Sequence, residues 1–264
     1  MPHLHVNDIN LYYEWQGDET KDLMILNNGI FMSVPSWAFQ TPDLAKHFRI
    51  LAYDMRGQGR SDHPDGPYDM DLHAQDLLGL MDALGIERAH MVGTSYGGEL
   101  NLYLGIHHPE RCRSLTVIAS VSHSETLLHA VVERWRQAAL LGDGELFFTL
   151  IYADVYSQGF LDANPEMVPV ARKRYADLDL AAAVRLIESY QRFDVRQDLH
   201  RIQIPTCIVA AELDLLKPRR YSDFMHQEIA GSEYHLIPNA GHVVVMEQPG
   251  AVNSIIIGFL TRQR

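Results

Sequence analysis

The sequence predicts an α/β protein: a mostly parallel central β-sheet with helices on both faces, and a helical cap inserted after the sixth strand. Three observations carry this prediction. Short apolar strands alternate with helical patterns through the first 120 residues and again from about residue 197. That is the rhythm of βαβ units, whose crossovers lay helices on both faces of parallel strands. From about Val121 to Arg196 the strand rhythm stops and only helical periodicities remain. Finally, Gly93-Thr94-Ser95-Tyr96-Gly97 lies where an apolar run ends and a helical pattern begins. Residues 1–120 and 197–264 are therefore expected to form one core domain and residues 121–196 a cap, in a chain of 264 residues that is long enough to bury a sizeable core.

Taken in order, Leu4–Val6 and Ile9–Trp15 flank the turn pair Asn7-Asp8 and read as an antiparallel hairpin. Leu23-Met24-Ile25-Leu26 is the first fully apolar run, a buried strand that enters the polar loop Asn27-Asn28-Gly29-Ile30. A helix is expected from Ser36 through Lys46, then a strand over Arg49–Tyr53. The segment Asp54-Met55-Arg56-Gly57-Gln58-Gly59-Arg60-Ser61-Asp62 has the charge and glycine density of a tight surface loop. Its Asp-x-Arg pair reads as a structural brace made of charge-assisted hydrogen bonds. Asp69 is placed to cap the helix that carries Leu72, Leu77, Leu80, Met81 and Leu84, and Gly85 stops it.

The strand Ala89–Val92 then leads to Ser95, a helix runs on to His107-His108-Pro109, and Leu115–Ala119 is a further buried strand. Within the cap, Leu127, Val131, Trp135 and Ala138 recur at helical spacing, Leu146–Tyr156 is apolar on nearly all sides, and Met167–Tyr175 and Leu180–Phe193 are further helices. Nine aromatics between Trp135 and Phe193 exceed what one small helical layer needs for its own packing. Some are expected to line a pocket over Ser95. Regular order resumes with the strand Ile204–Ala211, the loop through Glu212 and Asp214, a helix Pro218–Ile229, the strand Glu233–Ile237, the loop ending in His242, and an amphipathic helix Gln248–Leu260.

The chemistry follows from what this order places together. A serine at a sharp strand-to-helix turn is held in a strained backbone conformation, and Gly93 and Gly97 keep side chains out of the space the turn needs. The helix start directs unpaired N–H groups and a positive dipole end at any oxyanion formed there. Ser95, Asp214 and His242 each follow the carboxyl end of an expected strand, where open parallel sheets form their ligand crevice. His242 is read as the base that takes the proton of Ser95, and Asp214 as the group that orients the imidazole. Glu212 competes for that role, but it adjoins its strand end, whereas Asp214 lies at loop distance. The N–H groups of Ile30 and Tyr96 are the expected oxyanion donors, and neither metal nor organic cofactor is called for.

A formal charge of -12 works against nucleic acid and anionic membrane as partners, because both select basic surfaces. The start Met1-Pro2-His3-Leu4-His5 lacks a targeting pattern, and no apolar run approaches the ~20 residues of a membrane helix. A cytoplasmic location is expected, with Cys112 and Cys207 buried and inert.

Gly93-Thr94-Ser95-Tyr96-Gly97-Gly98, Asp54-x-Arg56-Gly57-x-Gly59-x-Ser61, Glu212-Leu213-Asp214 before Pro218, and Gly241-His242 before Glu247-Gln248-Pro249 together resemble the α/β-hydrolase superfamily over essentially the whole chain. Within it the sequence is similar to the branch of oxoadipate enol-lactonases, pimeloyl-carrier-protein methyl ester esterases, small carboxylesterases and cofactor-free haloperoxidases. The resemblance implies a serine hydrolase that cleaves a carboxylic ester, lactone or thioester of small to medium size through an acyl-enzyme. Hydrolysis of a carbon–carbon bond or haloperoxidase-like chemistry on the same triad is the alternative, and a non-hydrolytic binding protein on the same fold is a second. Ser95 stands where haloalkane dehalogenases and epoxide hydrolases carry aspartate, which argues against both chemistries. Members usually carry His-Gly where this chain has Asn28-Gly29, so the supports of that loop must differ. In the cap, Arg172-Lys173-Arg174 with Arg185, Arg192 and Arg196 could offer a basic helical face to an acyl-carrier protein. The competing expectation is a solvated face paired with Glu188 and Asp194.

Overall fold

The computed structural model describes residues 2–263, so Met1 and Arg264, the outer ends of the expected core domain, lie outside the described residues. Eight strands form one sheet: β1 (His3–Val6), β2 (Ile9–Gln16), β3 (Leu23–Asn27), β4 (Arg49–Tyr53), β5 (Ala89–Thr94), β6 (Cys112–Ile118), β7 (Thr206–Ala211) and β8 (Glu233–Ile237). Their order is β1-β2-β4-β3-β5-β6-β7-β8. The hairpin joins antiparallel at one edge, and every pair from β4–β3 onward is parallel.

Alternation along the central strands feeds two apolar layers. Ile25, Leu51, Met91, Val117 and Ile208 point into one, while Met24, Ile50, Val92, Ile118 and Val209 point into the other. The first layer is closed by α2 (Met70–Ala83), α3 (Tyr96–His107) and α9 (Arg220–Glu228), and the second by α1 (Thr41–Leu44), α10 (Val244–Glu247) and α11 (Pro249–Thr261). Both faces are thus covered, as the fully apolar strands require. Asp69 accepts a hydrogen bond from the Leu72 N–H at the start of α2, and Gly85 takes a left-handed φ of 68° just past its end.

Between β6 and β7 lie five helices: α4 (Thr126–Leu140), α5 (Gly144–Val155), α6 (Gln158–Ala163), α7 (Met167–Tyr175) and α8 (Leu180–Gln191). The two ends of this segment meet. His123 bridges Asp194, and the Val195 N–H donates to the Ser122 carbonyl at 2.9 Å.

Four expectations need correction. The helix expected over Ser36–Lys46 is broken into a 3-10 turn over Val34–Trp37 and the single turn α1. Pro42 is the cause, since it has no N–H to give and its ring crowds the preceding turn. The segment from Asp54 is a surface loop only at its outer part: Gly59, Arg60 and Asp62 are exposed, but Asp54, Met55, Arg56 and Gln58 are buried. Its charges are satisfied inside, the Asp54 carboxylate by the N–H groups of Val34 and Arg60, and the Arg56 guanidinium by Asp76 and Asp8. Third, of the expected α4 stripe Trp135 and Ala138 are buried and Val131 is half-buried, but Leu127 is 69% exposed, and Leu128, Val132 and Ala139 are buried as well. Packing against α5 and α8 turns the first turn of α4 so that Leu128 rather than Leu127 faces inward. Fourth, Arg196 lies beyond α8 and does not share a helical face with Arg185 and Arg192. Arg196 pairs with Asp194, Arg185 with Asp65, and Arg192 donates to the Tyr68 carbonyl. Glu188 pairs with Arg136 instead.

Candidate active site

Parallel strands end at the same edge of the sheet, so the loops after β3, β5, β7 and β8 converge there. Ser95 follows β5 directly at φ 52° and ψ −115°, a conformation that L residues other than glycine rarely adopt. The surroundings hold it there. The Ser95 N–H donates to the Ile118 carbonyl at 2.8 Å, and its own carbonyl accepts from the Ser120 hydroxyl at 2.8 Å. Glycine is required on both sides: a Cβ on Gly93 would lie 2.2 Å from the Gly97 carbonyl oxygen, and one on Gly97 would lie 2.0 Å from that of Asn27.

Three elements then meet. His242 Nε2 stands 2.9 Å from Ser95 Oγ, and His242 Nδ1 stands 2.8 Å from Asp214 Oδ2. All three residues are buried. The other Asp214 oxygen accepts the N–H groups of Leu216 and Lys217 at 2.9 and 2.7 Å, which locks the carboxylate's orientation. Glu212 lies elsewhere, exposed and accepting from the Asn239 N–H. The His242 loop is itself clamped, because the Glu247 carboxylate accepts the Gly241 N–H at 2.8 Å and also the N–H and hydroxyl of Ser157 between α5 and α6.

The loop after β3 packs against the nucleophile: a Cβ on Gly29 would lie 3.5 Å from that of Ser95. Among the described residues the N–H groups of Ile30 and Tyr96 have no acceptor. Asn28 supports this loop from within the core, donating to the Tyr53 carbonyl at 3.1 Å and accepting from the Trp37 indole at 2.7 Å. Gln58, from the buried Asp54 segment, donates to the Gly29 carbonyl at 3.2 Å. The Tyr96 side chain points away, into the five-helix segment, where its hydroxyl donates to Ser189 at 2.7 Å.

Above Ser95 opens a cavity of about 380 Å³, bounded by Ile30, Phe31 and His242 from the core and by Trp135, Phe148, Tyr152 and Tyr175 from the helices. Five of the nine aromatics singled out in the sequence face it, Tyr156 being the fifth. The others pack elsewhere, as with Phe147, which is fully buried in the core cluster.

Two residues of the site escaped sequence reasoning. Lys217 Nζ donates to Ser95 Oγ at 3.1 Å and pairs with the Glu99 carboxylate of α3. Burial pushes the Glu99 carboxyl up to about 7, against the opposing pull of the Lys217 ammonium. The available signal was the lone charge of Glu99 inside the apolar stretch of α3. Both cysteines are buried thiols, pushed up to about 12 by that burial. No helix among the described residues is long and apolar enough to cross a membrane.

The chain is 27% identical over 98% of its length, and 98% of the relative's, to a protein of Azorhizobium caulinodans that carries the provisional name carbamate hydrolase RutD. It is 26% identical over 98% of its length, and 96% of the relative's, to 3-oxoadipate enol-lactonase 2 of Acinetobacter baylyi. A solved alpha/beta hydrolase from a Medee basin deep-sea metagenome library superposes with a TM-score of 0.94 at 27% identity, covering 98% of this chain and 97% of that one. Residues 22–249 match the family described as the alpha/beta hydrolase fold, and the chain belongs to that family.

Proposed function

We propose that the protein is a serine hydrolase that cleaves a carboxylic ester, lactone or thioester of small to medium size through an acyl-enzyme on Ser95. The observation that carries this reading is the unbroken hydrogen-bonded chain from Ser95 Oγ through His242 to Asp214, at 2.9 and 2.8 Å. In it His242 takes the proton of Ser95 as Oγ attacks the carbonyl carbon, then delivers that proton to the leaving group. Asp214 holds the imidazole with its Nδ1 proton toward the carboxylate and stabilises the charged ring. The N–H groups of Ile30 and Tyr96 face the developing oxyanion. A water then repeats the sequence on the acyl-enzyme, with His242 as base.

The five helices between β6 and β7 act in this reading as the lid domain, residues 121–196, over a core of residues 1–120 and 197–264. Their aromatic side chains give the cavity an apolar wall, which favours an acyl or aryl group over a polar one. Enol-lactone hydrolysis by a relative of similar length supports a cyclic or linear ester as the substrate class. The test is intact-protein mass spectrometry after treatment with an activated fluorophosphonate, beside Ser95→Ala. A single adduct on the parent and none on the variant is expected, and absence of an adduct on both refutes the reading.

A further inference from the structure

The turn after β7 does more than orient the imidazole. Asp214 captures the Lys217 N–H, and the chain reversal it enforces sends the lysine side chain back under the nucleophile. Lys217 is 5% exposed and Glu99 fully buried. A charge this deep requires partners for its N–H groups. One N–H goes to Glu99, and the ammonium lies 4.8 Å from the centre of the Tyr190 ring. Another goes to Ser95 Oγ, the same atom that His242 contacts. Lys217 also bounds a cavity of about 20 Å³ together with Ile30, Ser95 and Tyr96.

We propose that Lys217, positioned by its ion pair with Glu99, is a fourth catalytic residue that stabilises negative charge on Ser95 Oγ. This rests on the acyl-enzyme reading above. In acylation the Oγ–H bond breaks, its proton passes to His242 Nε2, the Oγ–C bond forms and the carbonyl electron pair moves onto oxygen; the carbonyl then re-forms, the bond to the leaving group breaks, and that group takes the proton from the imidazolium. In deacylation a water gives a proton to His242 as its oxygen bonds to the acyl carbon, the Oγ–C bond then breaks to release the acid, and Oγ recovers the proton from the imidazolium. Lys217 exchanges no proton in either half. An ammonium has donors but no lone pair, so it cannot serve as the base while it is paired with a carboxylate. Its hydrogen bond strengthens whenever charge gathers on Oγ, as that atom attacks and again as it leaves. The interaction therefore acts on both halves of the reaction, as the contacts to the carbonyl oxygen do and as a contact to one leaving group does not.

A purely structural pair makes a different prediction, since a buried ion pair is readily replaced by apolar side chains of similar volume. The experiment compares wild type, Lys217→Met and the double variant Lys217→Met/Glu99→Met. The readouts are fluorophosphonate labelling rate, kcat and KM on 4-nitrophenyl acetate, and melting temperature. Lys217→Met alone leaves the Glu99 charge unpaired and tests folding as well as chemistry, and the double variant separates the two. The double variant is expected to melt close to wild type while labelling and kcat both fall by about tenfold to a hundredfold with KM nearly unchanged, the range for losing a charge-assisted hydrogen bond to a reacting atom. A double variant that labels and turns over at the wild-type rate overturns the role of Lys217 and leaves the Ser95 reading intact. A wild type that takes no adduct overturns the Ser95 reading and this inference with it.

Discussion

Replacing Asp214 by asparagine tests the triad with almost no change of shape. The outcome follows from which oxygen of the carboxylate is already engaged. Oδ1 accepts two backbone N–H groups, those of Leu216 and Lys217, at 2.9 and 2.7 Å. Only the amide oxygen of an asparagine can take that place, because the NH2 group would confront two donors. The NH2 group must therefore face His242 Nδ1, now 2.8 Å from Oδ2. It donates to Nδ1, the ring proton moves to Nε2, and Nε2 meets Ser95 Oγ with a proton where it needs a lone pair. The anion that would stabilise the imidazolium is lost as well. Together these effects are expected to lower kcat on the order of ten thousandfold, or about 5–6 kcal/mol of barrier. Stability should stay within about 1 kcal/mol of wild type, because both backbone hydrogen bonds survive and the volume is unchanged. The assay is kcat and labelling rate on 4-nitrophenyl acetate and a fluorophosphonate, with melting curves alongside and Glu212→Gln as the comparison. An Asp214→Asn enzyme within tenfold of wild type, or a large loss in Glu212→Gln instead, would refute the assignment.

Two further predictions concern the support of the site. His73 of α2 is buried between Tyr68 and Tyr96 with neither ring nitrogen hydrogen-bonded among the described residues, and burial pushes its imidazole down to about 3. The unfolded chain therefore binds a proton at His73 below pH ~6.5 that the native protein refuses, so this group removes stability as pH falls from about 6.5 toward 3, by about 2 kcal/mol at pH 5 relative to neutral pH. Denaturant melts of His73→Leu should show that increment gone, and a wild-type and variant pair with parallel stability across pH 5 to 7.5 would contradict it. Asn28→Ala leaves the Trp37 indole and the Tyr53 carbonyl without partners in the core. A loss of about 2–4 kcal/mol in stability is expected, together with slower fluorophosphonate labelling as the Ile30 N–H loses its brace. Labelling at the wild-type rate would separate that loop from the reaction.

Much of this molecule was legible one segment at a time. The strands β3, β5, β6 and β7 announce themselves as apolar runs because both faces of their sheet are covered. The turn at Ser95 announces itself because only glycine fits beside it, at contact distances of 2.2 and 2.0 Å. The order serine, acid, histidine, each after a strand, then forces a common edge once the sheet is parallel. What misled were segments whose burial depends on distant partners. The Asp54 segment has the composition of a surface loop, yet its first half lies inside because Val34, Arg60 and Asp76 receive its charges. Leu127 and Leu128 are equally apolar, and only the neighbouring helices choose between them.

The sequence by itself therefore determined the alternation of elements, the strained nucleophile turn and the candidate triad, because backbone sterics and hydrophobic period act over a few residues. The tertiary structure alone decided where charge is buried. Lys217 and Glu99 are 118 residues apart, and neither spacing nor composition links them. They meet under Ser95 because the sheet brings the turn after β7 alongside α3, and a charge withdrawn from water is stable only where the fold supplies its counterpart.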